Sequence, residues 1–296
     1  MYMVSNVSVS EEKINISSFL PLSSHSFLKT GGRAREAAFP QNADDVLALI
    51  RSNSGKRIRA VGGLSNTLVS DDGFDGLLLI MTHMKGIMID GETLTCAAGE
   101  KPDSVIRAAL EAGLEGMEAF AGLPGTMGGA VAGNAGAEGM SISDILLYAD
   151  AVTADGTAKR IESENYLFSY RSSPFSDDDI ITSICLGLKK SADIAAAKER
   201  ANAIRRSRVA SGQFAYPSLG CVFRNPEGDA AGRIIDSLGL KGLAHGGARV
   251  SENHANVILN TGNATSSDYL SLAEEVRRIV LERTGIRLEY EIRFLG

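Results

Sequence analysis

The chain has few cysteines, no excess of positive charge, no long apolar run and no familiar nucleotide-binding fingerprint, and each absence removes a class of function. Cys96, Cys185 and Cys221 are odd in number, widely separated and never in a C-x-x-C pair. Neither a disulfide framework nor a metal site is indicated, and reduced thiols are expected. His25, His83 and His245 have no ligand spacing. A formal net charge of −6 gives no general pull toward nucleic acid or an anionic membrane surface. No apolar run approaches the ~20 residues that span a bilayer. Met1 to Ser18 is polar and lacks the apolar stretch of a signal peptide, so a soluble, cytoplasmic protein is expected. The absence of G-x-G-x-x-G and of G-x-x-x-x-G-K-[ST] speaks against the usual dinucleotide fold and against a P-loop NTPase.

Glycine, by contrast, is concentrated. Gly122 to Gly139 reads G-L-P-G-T-M-G-G-A-V-A-G-N-A-G-A-E-G, and Val61 to Asp72 begins V-G-G-L-S-N directly after a predicted strand. Fixing a glycine in regular structure costs roughly 0.5–1 kcal/mol relative to alanine, so such clusters argue that backbone must come close to something. Backbone N–H groups at turns and helix starts bind anions without a charged side chain, and Pro124, Thr126 and Asn134 can fix the turns. Ser65 and Asn66 add side-chain donors. By itself a tight structural loop explains the Gly122–Gly139 cluster equally well, and an ordinary turn between strands explains Val61–Asp72 better; two such elements in one chain tip the balance toward a phosphate-bearing cofactor.

At 296 residues with 44% hydrophobic content the chain can bury two moderate cores. Asn42 is expected to cap a helix running to about Ser52. Strands follow at Arg57–Val61 and Leu77–Thr82, then a hairpin of Ile87–Ile89 and Thr93–Ala97 around Asp90-Gly91. Pro102 opens a helix that Gly113 closes. A second hairpin spans Ile145–Ala154 and Thr157–Ile161, and Ile180–Leu188 is a further strand. Composition changes near Lys190, and Ala192–Arg208 reads as a helical connector into a second domain. Its Arg205, Arg206 and Arg208 are read as a solvated face. A loop over Tyr216–Pro226, a helix near Ala230–Leu238 and a strand Val257–Asn260 follow. Thr265 and Asp268 then form a capping box for a long helix ending at Gly285, and Arg287–Phe294 is a final strand. Hairpins mixed with helices indicate an α+β protein rather than a uniform βαβ array.

Five motifs in this order carry a resemblance. V-G-G-L-S-N, L-P-G-T-M-G-G-A-V-A-G-N-A-G-A at Leu123–Ala137, Y-R-S-S-P-F at Tyr170–Phe175, G-C-V-F-R-N-P at Gly220–Pro226 and H-A-N-V-I-L-N-T-G-N-A-T at His254–Thr265 precede a terminal E-I-R-F-L-G. From about Leu22 onward the chain resembles the UDP-N-acetylenolpyruvoylglucosamine reductases, the MurB flavoenzymes of peptidoglycan synthesis. It is similar to their compact form, which lacks an inserted substrate-closing loop. The resemblance implies a tail over residues 1–19 and a two-part FAD-binding domain of the vanillyl-alcohol-oxidase/PCMH type over 20–195, with parts at about 20–82 and 83–195. A C-terminal α+β domain over 196–296 closes on the sugar nucleotide.

The same resemblance implies noncovalent FAD held by Gly62, Gly63, Leu64, Ser65, Asn66, Pro124, Gly125, Thr126, Gly128, Gly129, Asn134 and Gly136. NADPH reduces the flavin, and hydride then passes to the enol-ether double bond of UDP-N-acetylglucosamine enolpyruvate, leaving an enolate to be stabilised and protonated. Arg171 matches the family's arginine, whose fork suits a carboxylate or enolate, and Glu291 its glutamate, expected to be held protonated by burial. Cys221 stands where the family most often has a serine proton donor. A thiol is mostly protonated at neutral pH and can do the same work, although a nearby Arg171 is expected to lower its pKa. Tyr170, Arg224 and Asn225 are expected to hold the diphosphate or sugar, with His254 and Asn256 ordering the supporting loop. Cys96 and Cys185, within apolar strands, read as core. A monomer is expected. The alternative is another FAD oxidase or dehydrogenase on the same cofactor fold; members with tethered flavin often carry a histidine where this chain has Leu64. A catalytically silent nucleotide-binding module is a third reading, disfavoured by the split Arg171, Cys221 and Glu291 set.

Overall fold

Strand pairing divides the polypeptide into three units, seen in a computed structural model that describes residues 14–211 and 215–296. Residues 1–13 of the expected tail lie outside the described residues. The rest of that stretch is ordered, because Ile16–Pro21 is strand β1 and pairs antiparallel with β2 (Arg33–Ala38). Beyond β2, Asn42 accepts from the Asp45 N–H and caps helix α1 (Ala43–Ser52), whose Val46, Leu49 and Ile50 are buried. β3 (Ile58–Val61) and β5 (Phe74–Ile80) run parallel, with β2 on the far side of β5, and the short β4 (Thr67–Val69) lies outside that sheet.

The second unit is an antiparallel sheet of five strands. The expected hairpins form as β6 (Ile87–Asp90) with β7 (Thr93–Ala97) and β8 (Leu146–Val152) with β9 (Ala158–Glu162); β10 (Ile180–Gly187) joins them in the order β9-β8-β10-β7-β6. Pro102 starts helix α2 (Pro102–Glu111), and α3 (Met127–Ala132) lies within the glycine segment, N-capped by Thr126. One hydrophobic core runs through both units, from Val46 and Leu79 to Ile106, Met127 and Ile184.

Helix α4 (Ile194–Ala210) is more than a connector. Ala197 and Ala201, one turn apart on one face, are buried in that same core. Arg200 bridges Glu115 and Glu118, Arg205 pairs with Asp103 at 2.7 Å, and Arg208 donates to the Ala119 carbonyl at 2.9 Å. By its packing α4 groups with the preceding units, and two of the three basic residues read as solvated strap the approach to the glycine segment.

In the last unit the strand order is β11 (Ser218–Cys221), β14 (Val257–Asn260), β13 (Ala248–Val250), β12 (Ala244–His245), covered by α5 (Ala231–Ser237) and α6 (Ser266–Thr284). The loop expected at Tyr216–Pro226 thus contains a strand, and Cys221 ends it. The final strand is shorter than expected: β15 is only Arg293–Leu295, and it pairs in parallel with β4 of the first unit. Residues 287–292 are spent crossing between units, touching the Cys221 segment through the Phe223–Tyr290 bridge. Leu28 and Leu68 of the first unit complete the C-terminal core.

Candidate active site

A cleft of about 680 Å³ runs between the units, lined by both glycine elements and by Arg171, Cys221 and Glu291. The two elements are pressed together. A Cβ on Gly62 would lie 2.3 Å from Thr126 Oγ1, and one on Gly125, which sits at φ +101°, would lie 2.6 Å from Ser65 Oγ. The side chains expected to meet phosphate are already engaged: Ser65 Oγ donates to the Pro124 carbonyl at 3.5 Å, and Asn66 Nδ2 to the Glu291 carbonyl at 3.1 Å. Gly128 and Gly129 donate to Ala98 O and Thr126 Oγ1. Among the described residues, the N–H groups of Gly62, Gly63, Leu64, Ser65, Asn66, Gly125 and Thr126 have no protein acceptor. A run of free amides bordering one cleft is the donor set that a pyrophosphate needs, so these residues fit the diphosphate of an FAD.

Asn134 and Gly136, the latter on the cleft wall, also bear on Arg171. Asn134 is buried, donating to Ser169 O at 2.9 Å and accepting from Ser143 N–H at 3.2 Å. It thereby braces the Ser169–Ser172 turn, in which Arg171 sits at φ +56°. A left-handed backbone at a non-glycine residue persists only when its surroundings hold it, and such positions gather at functional sites. Gly136 leaves room for the guanidinium, since a Cβ there would stand 2.8 Å from Arg171 Nη1.

Arg171 Nε donates to Glu291 Oε1 at 2.6 Å, with both side chains mostly buried. Glu291, expected to donate to the substrate oxygens, thus offers Oε1 to the guanidinium as an acceptor. Cys221 lines the same cleft. Burial pushes its thiol up, Glu291 adds to the effect, and the opposing influence of Arg171 and Asn256 is smaller, so the pKa reaches about 11. The expected lowering by Arg171 is therefore outweighed. Asn256 orders this corner as expected, donating to Phe223 O at 2.7 Å and accepting from Phe223 N–H at 3.0 Å, while Glu291 N–H donates to Val222 O at 2.8 Å. One buried amide thus fixes the segment that carries the thiol and receives the Glu291 backbone.

Tyr170, Arg224 and Asn225 gather beside the cleft rather than along its wall. Asn225 N–H donates to Tyr170 Oη at 3.3 Å, Arg224 Nη2 to Arg171 O at 3.4 Å, and Arg224 Nε is buried with no protein partner. Asn225 Oδ1 accepts from Ala231 N–H at the start of α5. Sequence reasoning missed Arg293, Phe27, Lys29 and Tyr216, all of which line the cleft. Only Arg293 had a signal, its place two residues after Glu291 in E-I-R.

Comparison with known proteins accords with this geometry. Residues 34–162 match the family model of the FAD binding domain, and residues 212–295 that of the UDP-N-acetylenolpyruvoylglucosamine reductase C-terminal domain. A UDP-N-acetylenolpyruvoylglucosamine reductase of Lactobacillus delbrueckii subsp. bulgaricus is 37% identical over 94% of each chain, and one of Lactobacillus acidophilus is 35% identical over 98% of each. The crystal structure of UDP-N-acetylenolpyruvylglucosamine reductase (MurB) from Thermus caldophilus superposes with a TM-score of 0.82 at 31% identity, covering 96% of this chain and 100% of that one. With both domains matched in order and relatives that span nearly its whole length, the chain belongs to the UDP-N-acetylenolpyruvoylglucosamine reductase family of FAD-containing oxidoreductases.

Proposed function

We propose that this protein uses NADPH to reduce the enolpyruvyl group of UDP-N-acetylglucosamine enolpyruvate, giving UDP-N-acetylmuramate for peptidoglycan, with Cys221 as the proton donor. The observation that carries the reading is the convergence of Arg171, Glu291 and Cys221, from three separate stretches, on the cleft that the free amides border. Bound FAD supplies the two-electron carrier between NADPH and the double bond. Arg171 presents the fork that holds the substrate carboxylate and the enolate oxygens it becomes, and Glu291 fixes the direction of that fork. Cys221 Sγ–H gives its proton to the carbon beside the carboxylate. With a pKa near 11 the thiol is fully loaded at neutral pH, and the thiolate left behind is basic enough to recover a proton from water. The reading includes a monomer acting in the cytoplasm; no helix among the described residues is long and apolar enough to cross a membrane.

Separating the half-reactions by stopped flow tests the donor. Cys221→Ala should leave flavin reduction by NADPH nearly unchanged and slow reoxidation by the sugar nucleotide on the order of 10²–10⁴-fold. Cys221→Ser should retain substantial turnover. Two unchanged half-reactions in Cys221→Ala would remove Cys221 from the chemistry.

A further inference from the structure

Two stretches of chain meet at the catalytic pair, the loop from Tyr170 to Asp179 and the run Glu291–Arg293 that enters β15. Between the two, each contributes one charge of each sign to a shared pair of contacts, and the signs cross. Arg171 of the loop pairs with Glu291 at 2.6 Å, while Arg293 of the strand pairs with Asp177 of the loop at 3.2 Å. Arg293 is held from further sides: its Nη2 donates to the carbonyl of Ala132, at the end of α3, at 2.8 Å, and its N–H donates to Asn66 O at 2.9 Å. Farther along the loop, Asp178 pairs with Arg59 of β3 and Asp179 with Lys159 of β9 at 2.7 Å. Three consecutive aspartates thus tie one loop to three different strands.

We infer that the Arg293–Asp177 pair is an outer rung that positions the inner rung, Arg171–Glu291, and that both residues are positioning residues for the proposed reduction; the inference rests on that reaction. A seam with crossed charges resists sliding. A slide of one stretch along the other carries Arg293 toward Arg171, or Asp177 toward Glu291, and like charges oppose it. The turn at Arg171 needs such outside support, because its φ of +56° is not a relaxed conformation for arginine. The rungs differ in exposure: side-chain exposure is 49% and 81% for Arg293 and Asp177, against 24% and 13% for Arg171 and Glu291. Salt therefore screens the outer rung and largely spares the inner one.

Stopped flow on the flavin-loaded full chain at saturating substrate reads the effect. Asp177→Asn should lower the limiting rate of flavin reoxidation by the sugar nucleotide about two- to five-fold, the range of an exposed ion pair, while flavin reduction by NADPH keeps its wild-type rate. The wild-type reoxidation limit should fall with added KCl, and Asp177→Asn should lose that dependence. Exchanging the charges, Asp177→Arg with Arg293→Asp, should recover part of the loss caused by either change alone. A wild-type rate and salt response in Asp177→Asn overturns the proposal, and so does a loss shared equally by both half-reactions or an exchange no better than its worse single variant. A wild-type enzyme whose reduced flavin the sugar nucleotide does not reoxidise would sink the proposed reaction itself, a result distinct from all of these.

Discussion

At Gly136 the reason for a glycine is the protein's own arginine, and this shows how far residue-level reading of such a cluster reaches. The sequence announces that backbone must approach something; it does not say whether that is a ligand or a side chain. Gly62 and Gly125 are needed for the contact between two loops and Gly136 for the Arg171 guanidinium, while the amides between Gly62 and Asn66 are left free toward the cleft. Gly136→Ala, with its Cβ 2.8 Å from Arg171 Nη1, should displace the fork and slow flavin reoxidation about 10²-fold, the scale of a misplacement near 1 Å. Stopped flow should find flavin binding retained; an undisturbed reoxidation rate would mean that the guanidinium adapts freely. Cys221 was recognisable from its motif, but its pKa was not, because burial and the Glu291 carboxylate act through space. Iodoacetamide labelling of Cys221 in the flavin-free protein should rise with pH to a midpoint of about 11, since only the thiolate reacts. Cys96 is buried and pushed to about 12, so it does not compete. A midpoint near 8.5, the ordinary thiol value, would contradict the account.

Helix α6 shows what was legible at the level of elements. Thr265 accepts from Asp268 N–H, the Asp268 side chain accepts from Thr265 N–H, and Gly285 closes the helix at φ +73°, all within one short stretch of sequence. Its second cap comes from another unit and left no local trace: Asp71 accepts from the N–H groups of Ser266 and Ser267 at 2.8 and 2.9 Å. Burial alone would raise the Asp71 pKa, but the hydrogen bonds from Ser267 and Ser266 win and hold the carboxyl below its ordinary value. A lowered folded-state pKa means that the contribution is present above the unfolded value near 3.9 and is lost as pH falls through the folded one. Asp71→Ala should therefore reduce stability at pH 7 by about 0.5–2 kcal/mol, and the difference from wild type should shrink below about pH 4. Melting curves at both pH values check the sign, and a gap that widens in acid would refute it. Among the strands that left no clear sequence signal, β2 buries only the alanines of R-A-R-E-A-A and pairs in parallel with β5, far along the chain. Ala197 and Ala201 likewise gave α4 no apolar stripe strong enough to reveal which core it joins.

On the scale of the whole molecule, the C-terminal unit is tied to the first by the β4–β15 ladder, by Asp71 and by Asn260, whose Nδ2 donates to Leu28 O at 2.9 Å. The closure that the resemblance implied has to work against these ties, and they hold Cys221 and Glu291 in register with the first glycine loop. Arg171 arrives from the second unit, so the site exists only when all three units are assembled. That dependence is why local sequence pattern located the parts of the site and only the ordered set of motifs revealed them as one. The most direct test follows NADPH oxidation at 340 nm by the FAD-loaded protein, with and without UDP-N-acetylglucosamine enolpyruvate. Stimulation by the sugar nucleotide, with one UDP-N-acetylmuramate formed per NADPH consumed, is the predicted result; NADPH consumption unaffected by the sugar nucleotide would contradict the account.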